Sequence, residues 1–312
     1  MASLNNQFYA DPVGFAVHHS LAPKDNVTGY TGQGWESTKL TGDFTNWKHV
    51  RIVGNGRRAL VTLDHSNARG ENTVEVSAKV YPEHGRGSGL PTWFLPWDGS
   101  GACVELTIPP YDGTLSEYDS PKIFFTAALS GCSVYMKGNP DNPTIYHCGI
   151  SGTAPNNSPA FYKRLVMTCK HLGIGTSPQG RIQGIGKNAY MDRFTGGAIG
   201  SEDRTLVTSQ LENQVGGLVI ATGYRRWGAI FGIRTGQNWE FYLQRNVMVD
   251  YETYDQIVEK SKGLFGTGLF SKTRTREVIT KELMKTYPSS LEKIFPGTGQ
   301  VEMMMDNVIV KV

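Results

Sequence analysis

From Trp47 onward the chain is written in short runs of alternating or β-branched residues, each closed by turn-forming residues. That rhythm limits it to folds built from many short strands. His49–Val53, Ala59–Leu63, Thr73–Val80, Ala102–Ile108, Lys122–Ala127, Ser133–Lys137 and Thr144–Cys148 come first, and Thr205–Leu211, Gly217–Tyr224, Trp227–Arg234 and Trp239–Val249 resume the pattern later. Asn55-Gly56 between two runs is a two-residue hairpin signal, because both central positions of that turn need positive φ. Ser158-Pro159 opens a helix whose apolar face carries Phe161, Leu165, Val166, Cys169 and Leu172. Gly173 to Gly200 reads as glycine-rich loops, Tyr254–Lys262 and Thr275–Tyr287 as two helices, Ser289–Phe295 as a short turn and Val301–Val312 as a final strand. Residues 1–45 mix Asn, Gly, Thr and Pro without a sustained period and read as an irregular arm packed on the core. The fold expected is α+β: a central β-sandwich or strongly bent mixed sheet flanked by helices, in one domain spanning 1–312 with no internal repeat.

Composition narrows the partners. A net charge of +3 with a pI near 8.5 is too mild for the electrostatic footprint of a nucleic-acid binder. No stretch approaches the ~20 consecutive apolar residues of a membrane span. Met1 to Phe15 holds no Lys or Arg, so neither an integral span nor a cleavable signal peptide is expected. Cys103, Cys132, Cys148 and Cys169 form no C-x-x-C pair and are too few for a disulfide scaffold, so they read as thiols of a reducing compartment, one of them available as a nucleophile.

The densest chemistry lies in Phe125-Thr126-Ala127-Ala128-Leu129-Ser130-Gly131-Cys132, followed 15 residues later by His147. An apolar strand that runs into small residues and then a cysteine presents a nucleophile on a tight turn, where a substrate carbonyl can approach the backbone. Antiparallel pairing of Ser133–Lys137 with Thr144–Cys148 through the turn 138–143 returns His147 beside Cys132. An imidazolium there would stabilise the thiolate, and N–H groups around Ser130, Gly131 and Cys132 would receive the oxyanion. Thr126, by side chain or backbone carbonyl, is the candidate third group that orients the imidazole.

With these residues in place, Leu129-Ser130-Gly131-Cys132 and the downstream His resemble the L-S-G-C signature of the catalytic domain of cytotoxic necrotizing factor and of Burkholderia lethal factor, bacterial toxins that deamidate glutamine in host proteins. The 15-residue interval and the setting Tyr146-His147-Cys148-Gly149 resemble the necrotizing-factor branch; Thr126, six residues before the cysteine, resembles the Thr of the Burkholderia toxin. The resemblance covers residues 123–149. It implies a β-sandwich with the Cys and His at one end, Cys132 as nucleophile, His147 as proton carrier, and no cofactor. It also implies a host protein as substrate, a Rho-type small GTPase first and a translation factor second. The expected protein is a monomeric bacterial effector or toxin domain, secreted or injected, acting in the host cytosol.

Other readings stand beside this one. The same dyad serves a cysteine protease, a transglutaminase or an acyltransferase, and a β-sandwich binding module would use Cys132 only for packing. Cys103, Cys148 and Cys169 are assigned to packing. Cys169-Lys170-His171 with Cys148 is a poor zinc set, since C-x-H on a helix diverges, and no metal is expected. Gly180 to Lys187 has five residues between its outer glycines where a phosphate loop needs four, and it reads as loops at the rim of the site. The basic stretch Lys260 to Lys285 reads as a solvated face, with an acidic target surface or anionic lipid as its functional alternative. The tryptophans Trp93 and Trp97, and Trp227 and Trp239, read as core or rim aromatics, and His18-His19 carries no assignment.

Overall fold

A computed structural model of the protein describes residues 3–28, 35–39, 48–54, 58–66, 72–80, 88–98, 101–149, 183–185, 190, 209, 211–213, 218–262, 271–296, 302–305 and 308–311. Two short helices, α1 (Leu4–Ala10) and α2 (Pro12–His18), precede the strands. These are β1 (Ser20–Thr28), β2 (Trp35–Lys39), β3 (Lys48–Ile52), β4 (Arg58–His65), β5 (Thr73–Val80), β6 (Leu90–Leu95), β7 (Ala102–Thr107), β8 (Ile123–Thr126), β9 (Ser133–Lys137) and β10 (Thr144–Cys148). The second half adds β11 (Gln183–Ile185), β12 (Leu218–Thr235), β13 (Asn238–Lys262), β14 (Ser271–Phe295), β15 (Glu302–Met305) and β16 (Val308–Lys311). One sheet runs β1-β5-β4-β6-β8-β12-β13-β14, a second runs β11-β9-β10-β7-β3-β2, and β15 pairs with β16 alone. Both large sheets mix parallel pairs, β1 with β5, β6 with β8 and β3 with β7, into otherwise antiparallel ladders.

Alternation along each strand sorts side chains into two cores. Trp93, Leu95, Phe124 and Ile230 of the larger sheet meet Val50, Val104, Leu106, Val134 and Ile145 of the smaller one. Phe94, Ile123, Phe125, Ala229 and Phe231 point from the larger sheet to the other side, where Phe8, Phe15 and Ala16 of the helices cover them. The result is three layers: helices, eight strands, six strands. Phe8 has no exposed surface, a burial that stabilises by about 1.5–3 kcal/mol.

The N-terminal segment is therefore not the irregular arm expected from its composition. Ser3 caps α1 by accepting from Asn6 N–H, Asp11 caps α2 by accepting from Gly14 N–H, and Pro12 starts α2. Seven residues per helix are too few for a visible period, so tertiary burial rather than propensity decides. β1 and β2 also fall within the expected arm.

The two helices expected at 254–262 and 275–287 are likewise strands. β13 and β14 form one antiparallel ribbon from Phe241↔Phe295 out to Lys262↔Ser271, and the expected turn at 289–295 continues β14. Long-range pairing overrides a helix-like spacing of Val278, Ile279, Leu283 and Met284. Pro288 is accommodated because β14 is the edge of its sheet. The basic residues Lys260, Lys262, Lys272, Arg274, Arg276, Lys281 and Lys285 thus lie on this ribbon. The expected final strand is the hairpin β15–β16, and the two runs 217–224 and 227–234 form the single strand β12. The strands expected around β3, β4, β5, β7, β8, β9 and β10 are present within a residue or two. The helix expected at 159–172, the turn Asn55-Gly56 and most of 173–200 and 205–211 lie outside the described residues.

Candidate active site

His147 is brought to Thr126 by the stacking of the two sheets. On β10, His147 pairs with Val134 of β9 and Val104 of β7, so it shares their inward face. On β8 of the opposite sheet, Thr126 shares its face with Phe124, which also points inward. Thr126 Oγ1 lies 2.9 Å from His147 Nδ1 and 3.0 Å from the Leu95 carbonyl oxygen, to which it donates. Its only proton is committed to Leu95, so the hydroxyl accepts Nδ1–H, and the lone pair of His147 resides on Nε2. Thr126 and His147 are both fully buried, and Nε2 has no hydrogen-bond partner among the described residues. A buried acceptor left unsatisfied is costly and calls for an explanation.

Cys132 enters the same core from the turn between β8 and β9. It stands two residues before Val134, the direct partner of His147, which places Cys132 and His147 diagonally across the ladder on one face. Leu129 exchanges both backbone hydrogen bonds with Gly228 of β12, at 2.8 and 2.9 Å, and pins the start of the turn. Ser130 is exposed. Gly131 has φ +146° with open space where a Cβ would stand, so glycine is needed there for its backbone rather than for room.

Tyr190, which no motif singled out, organises the turn. Its hydroxyl accepts Gly131 N–H at 2.9 Å and donates to the Cys132 carbonyl at 2.6 Å. The ring lies against Gly228, where an added Cβ would come within 3.0 Å of Tyr190 Cγ. Of the backbone donors expected for an oxyanion, Gly131 N–H is thus engaged by Tyr190, leaving those of Ser130 and Cys132. The only sequence signal for Tyr190 is an aromatic residue amid the glycine-rich stretch expected at the rim.

The electrostatics differ from the ion pair expected from the sequence. Burial pushes the Cys132 thiol up to about 11, with the Asp25 carboxylate adding to the shift and the Trp97 indole opposing it. Burial pulls His147 down to about 3. At rest Cys132 is a neutral thiol and His147 a neutral imidazole, because a dry core disfavours both charges. Asp25 and Trp97 complete the surroundings: Trp97 N–H donates to the Asp25 carbonyl at 2.9 Å, and Trp97 packs against the core that holds Cys132.

The expectation of reduced thiols fails for two cysteines. Cys103 on β7 and Cys148 on β10 are directly opposed and joined by a disulfide. Cys132 is the free cysteine among the described residues, and Cys169 lies outside them. Cys148 points away from the face of His147, so the disulfide and the candidate site occupy opposite sides of the smaller sheet. His18 and His19 line a shallow cleft with Gln7, Asp11, Gly14 and Phe15, which shares no residue with the Cys132 site. No group of three His, Cys, Asp or Glu that could hold a metal occurs among the described residues. Among the described helices none is long and apolar enough to cross a membrane. No known protein-family profile and no curated protein matches the chain.

Proposed function

We propose that this chain is a cysteine-dependent protein-glutamine deamidase, a bacterial effector or toxin domain that converts one glutamine of a host protein to glutamate. The observation that carries the reading is the buried, unpartnered Nε2 of His147, whose tautomer is held by Thr126 and which stands on the same inward face of its sheet as Val134, two residues from Cys132. Such an atom is costly in a packed interior, and a base that must take a proton at Nε2 is a role that would retain it.

The steps follow from the neutral pair. Cys132 Sγ attacks the carboxamide carbon while Nε2 takes the thiol proton, so charge develops only as the C–S bond forms and is held through the tetrahedral intermediate as an oxyanion and an imidazolium. The tetrahedral intermediate collapses, Nε2–H protonates the departing nitrogen, and ammonia leaves a thioester. Water, deprotonated by Nε2, then hydrolyses the thioester to glutamate and returns the thiol. A primary amine in place of water gives transglutamination. The proposed substrate is a Rho-type small GTPase, in which loss of a water-positioning glutamine would stall hydrolysis, with a translation factor second. Delivery by secretion or injection into the host cytosol belongs to the same proposal.

Peptide mass spectrometry of a host-cell lysate incubated with the chain and with Cys132→Ser tests it. A gain of about one dalton at one glutamine, made by the wild type alone, is expected. Cleavage of peptide bonds would move the chain to the proteases. No covalent change in any host protein would leave a binding module.

A further inference from the structure

With Gly131 N–H engaged by Tyr190, the oxyanion of an attack by Cys132 needs another donor, and Trp97 offers one. Trp97 Nε1 is buried with no hydrogen-bond partner among the described residues, as is His147 Nε2. Trp97 follows β6, whose last residue, Leu95, supplies the carbonyl that holds Thr126. Its backbone is fixed by the 2.9 Å bond from its N–H to the Asp25 carbonyl, and its ring packs against the cluster that contains Cys132. The indole N–H reaches in from the larger sheet, near enough to Cys132 to oppose the upward shift of its thiol, while His147 lies on the inward face of the smaller sheet. An indole N–H is a donor only, with no acceptor to offer, so its natural complement in a closed site is an oxygen that gains negative charge.

We propose that Trp97 Nε1–H is a catalytic donor that binds the substrate carbonyl oxygen and stabilises the oxyanion formed when Cys132 attacks. The inference rests on Cys132 as nucleophile and adds a residue outside the L-S-G-C motif. In the attack the C–S bond forms, the carbonyl π pair moves to oxygen, and the thiol proton goes to His147 Nε2. Trp97 transfers no proton and only holds the oxygen. Its rigid ring and buried N–H supply the donor without reorganisation, which is where such stabilisation is largest.

Two small electrophiles separate this role from packing and from a general effect on the thiol. Acylation of Cys132 by p-nitrophenyl acetate passes through a tetrahedral oxyanion and releases p-nitrophenolate. Alkylation by iodoacetamide displaces iodide at a saturated carbon and forms no such oxyanion. Both rates are read on the full chain by intact mass, with Cys132→Ser as the blank. In Trp97→Phe, which keeps a ring and loses the donor, acylation is expected to fall about 10²-fold while alkylation changes by less than about threefold. Trp97→His, which restores a ring N–H, is expected to recover part of the acylation rate. Equal loss of both rates, or loss of neither, overturns the proposal. A wild-type Cys132 that reacts with neither reagent at alkaline pH would overturn the nucleophile reading itself, an outcome distinct from failure of the Trp97 variant alone.

Discussion

The hydroxyl of Thr126 does two things at once, donating to Leu95 and accepting from His147, and that division of labour makes its replacement informative. Thr126→Val keeps the shape but removes both bonds, so Nδ1–H loses its acceptor and the imidazole can turn or change tautomer. Deamidation is expected to fall about 10²-fold, while Thr126→Ser retains most of the rate. Equal activity of the Val and Ser variants would show that the hydroxyl does not orient the base. A second expectation concerns pH. His147 sits near pKa 3 in the folded chain against about 6.5 unfolded, so between those values the unfolded state binds more protons. Its contribution to stability is complete above about pH 6.5 and is lost as pH falls towards 3, at up to about 1.4 kcal/mol per pH unit. Cys132, raised to about 11, acts at the other end, where the unfolded thiol ionises first and stability declines as pH rises above about 9. Denaturant titrations across the acid range should show a limb that flattens by about one proton in His147→Gln. An unchanged slope would mean that the imidazole is hydrated in solution rather than buried. Tyr190→Phe tests the turn: it leaves Gly131 N–H and the Cys132 carbonyl without their shared partner, with an expected loss of about 1–3 kcal/mol in stability. A melting curve coincident with that of the wild type would argue against the bridge.

At the scale of elements, the N-terminal helices are tied to the sheet by one buried amide. Gln244 of β13 donates from Nε2 to the carbonyls of Ala16 and His19 at 2.6 and 2.7 Å, while its Oε1 accepts from Leu21 N–H at 2.8 Å and Asn246 Nδ2 at 3.0 Å. The end of α2 and the start of β1 thus find their partners in a side chain more than 220 residues away. Gln244→Leu removes all four bonds and strands buried backbone groups, so a loss of about 2–4 kcal/mol is expected, with early proteolysis confined to the first 20 residues. Uniform protease resistance at wild-type levels would mean that the helices hold on without Gln244, by Phe8, Phe15 and the bond from Leu63 N–H to Asn5. This dependence also explains what the sequence concealed. Strands such as β5 and β9 carry their own alternating pattern and are legible in sequence, whereas α1 and α2 depend on distant residues, Phe8 packing on Phe125 and Phe231 and the end of α2 bonding to Gln244. The segments of the ribbon β13–β14 resemble helices in sequence because their register is set by a partner strand, not by a period within either one. At the candidate site, Thr126, Cys132 and His147 can be named from the sequence because they lie within one short stretch, on β8, the turn after it and β10. Tyr190, Trp97 and Asp25 come from distant segments with no motif to announce them.

Across the whole molecule, the two sheets clamp the candidate site between them, and the disulfide fastens only one. His147 is held from above by Thr126 and from both sides by the ladders to β7 and β9, all on the inner face or in the plane of the smaller sheet. Cys103–Cys148 joins two of those same strands on the outer face, closing a loop of 45 residues that contains β8, β9 and the entire Cys132 turn. The cross-link therefore restricts the unfolded chain over the segment that carries the chemistry, while contributing no contact to Nδ1 or Nε2. Stability and activity should separate when it is removed. The double variant Cys103→Ala, Cys148→Ala is expected to lose about 2–4 kcal/mol of unfolding free energy, read from denaturant curves. At a temperature where it remains folded, its rate per folded molecule should stay within about threefold of the wild type, since Thr126 and the backbone ladders persist. The pairing also bears on the setting proposed for the enzyme. A chain that acts in a reducing cytosol must tolerate the open form, and activity in the double variant is the direct measure of that tolerance. A collapse of activity with the fold intact would place the disulfide in the machinery that orients His147, and would require an oxidising site of action.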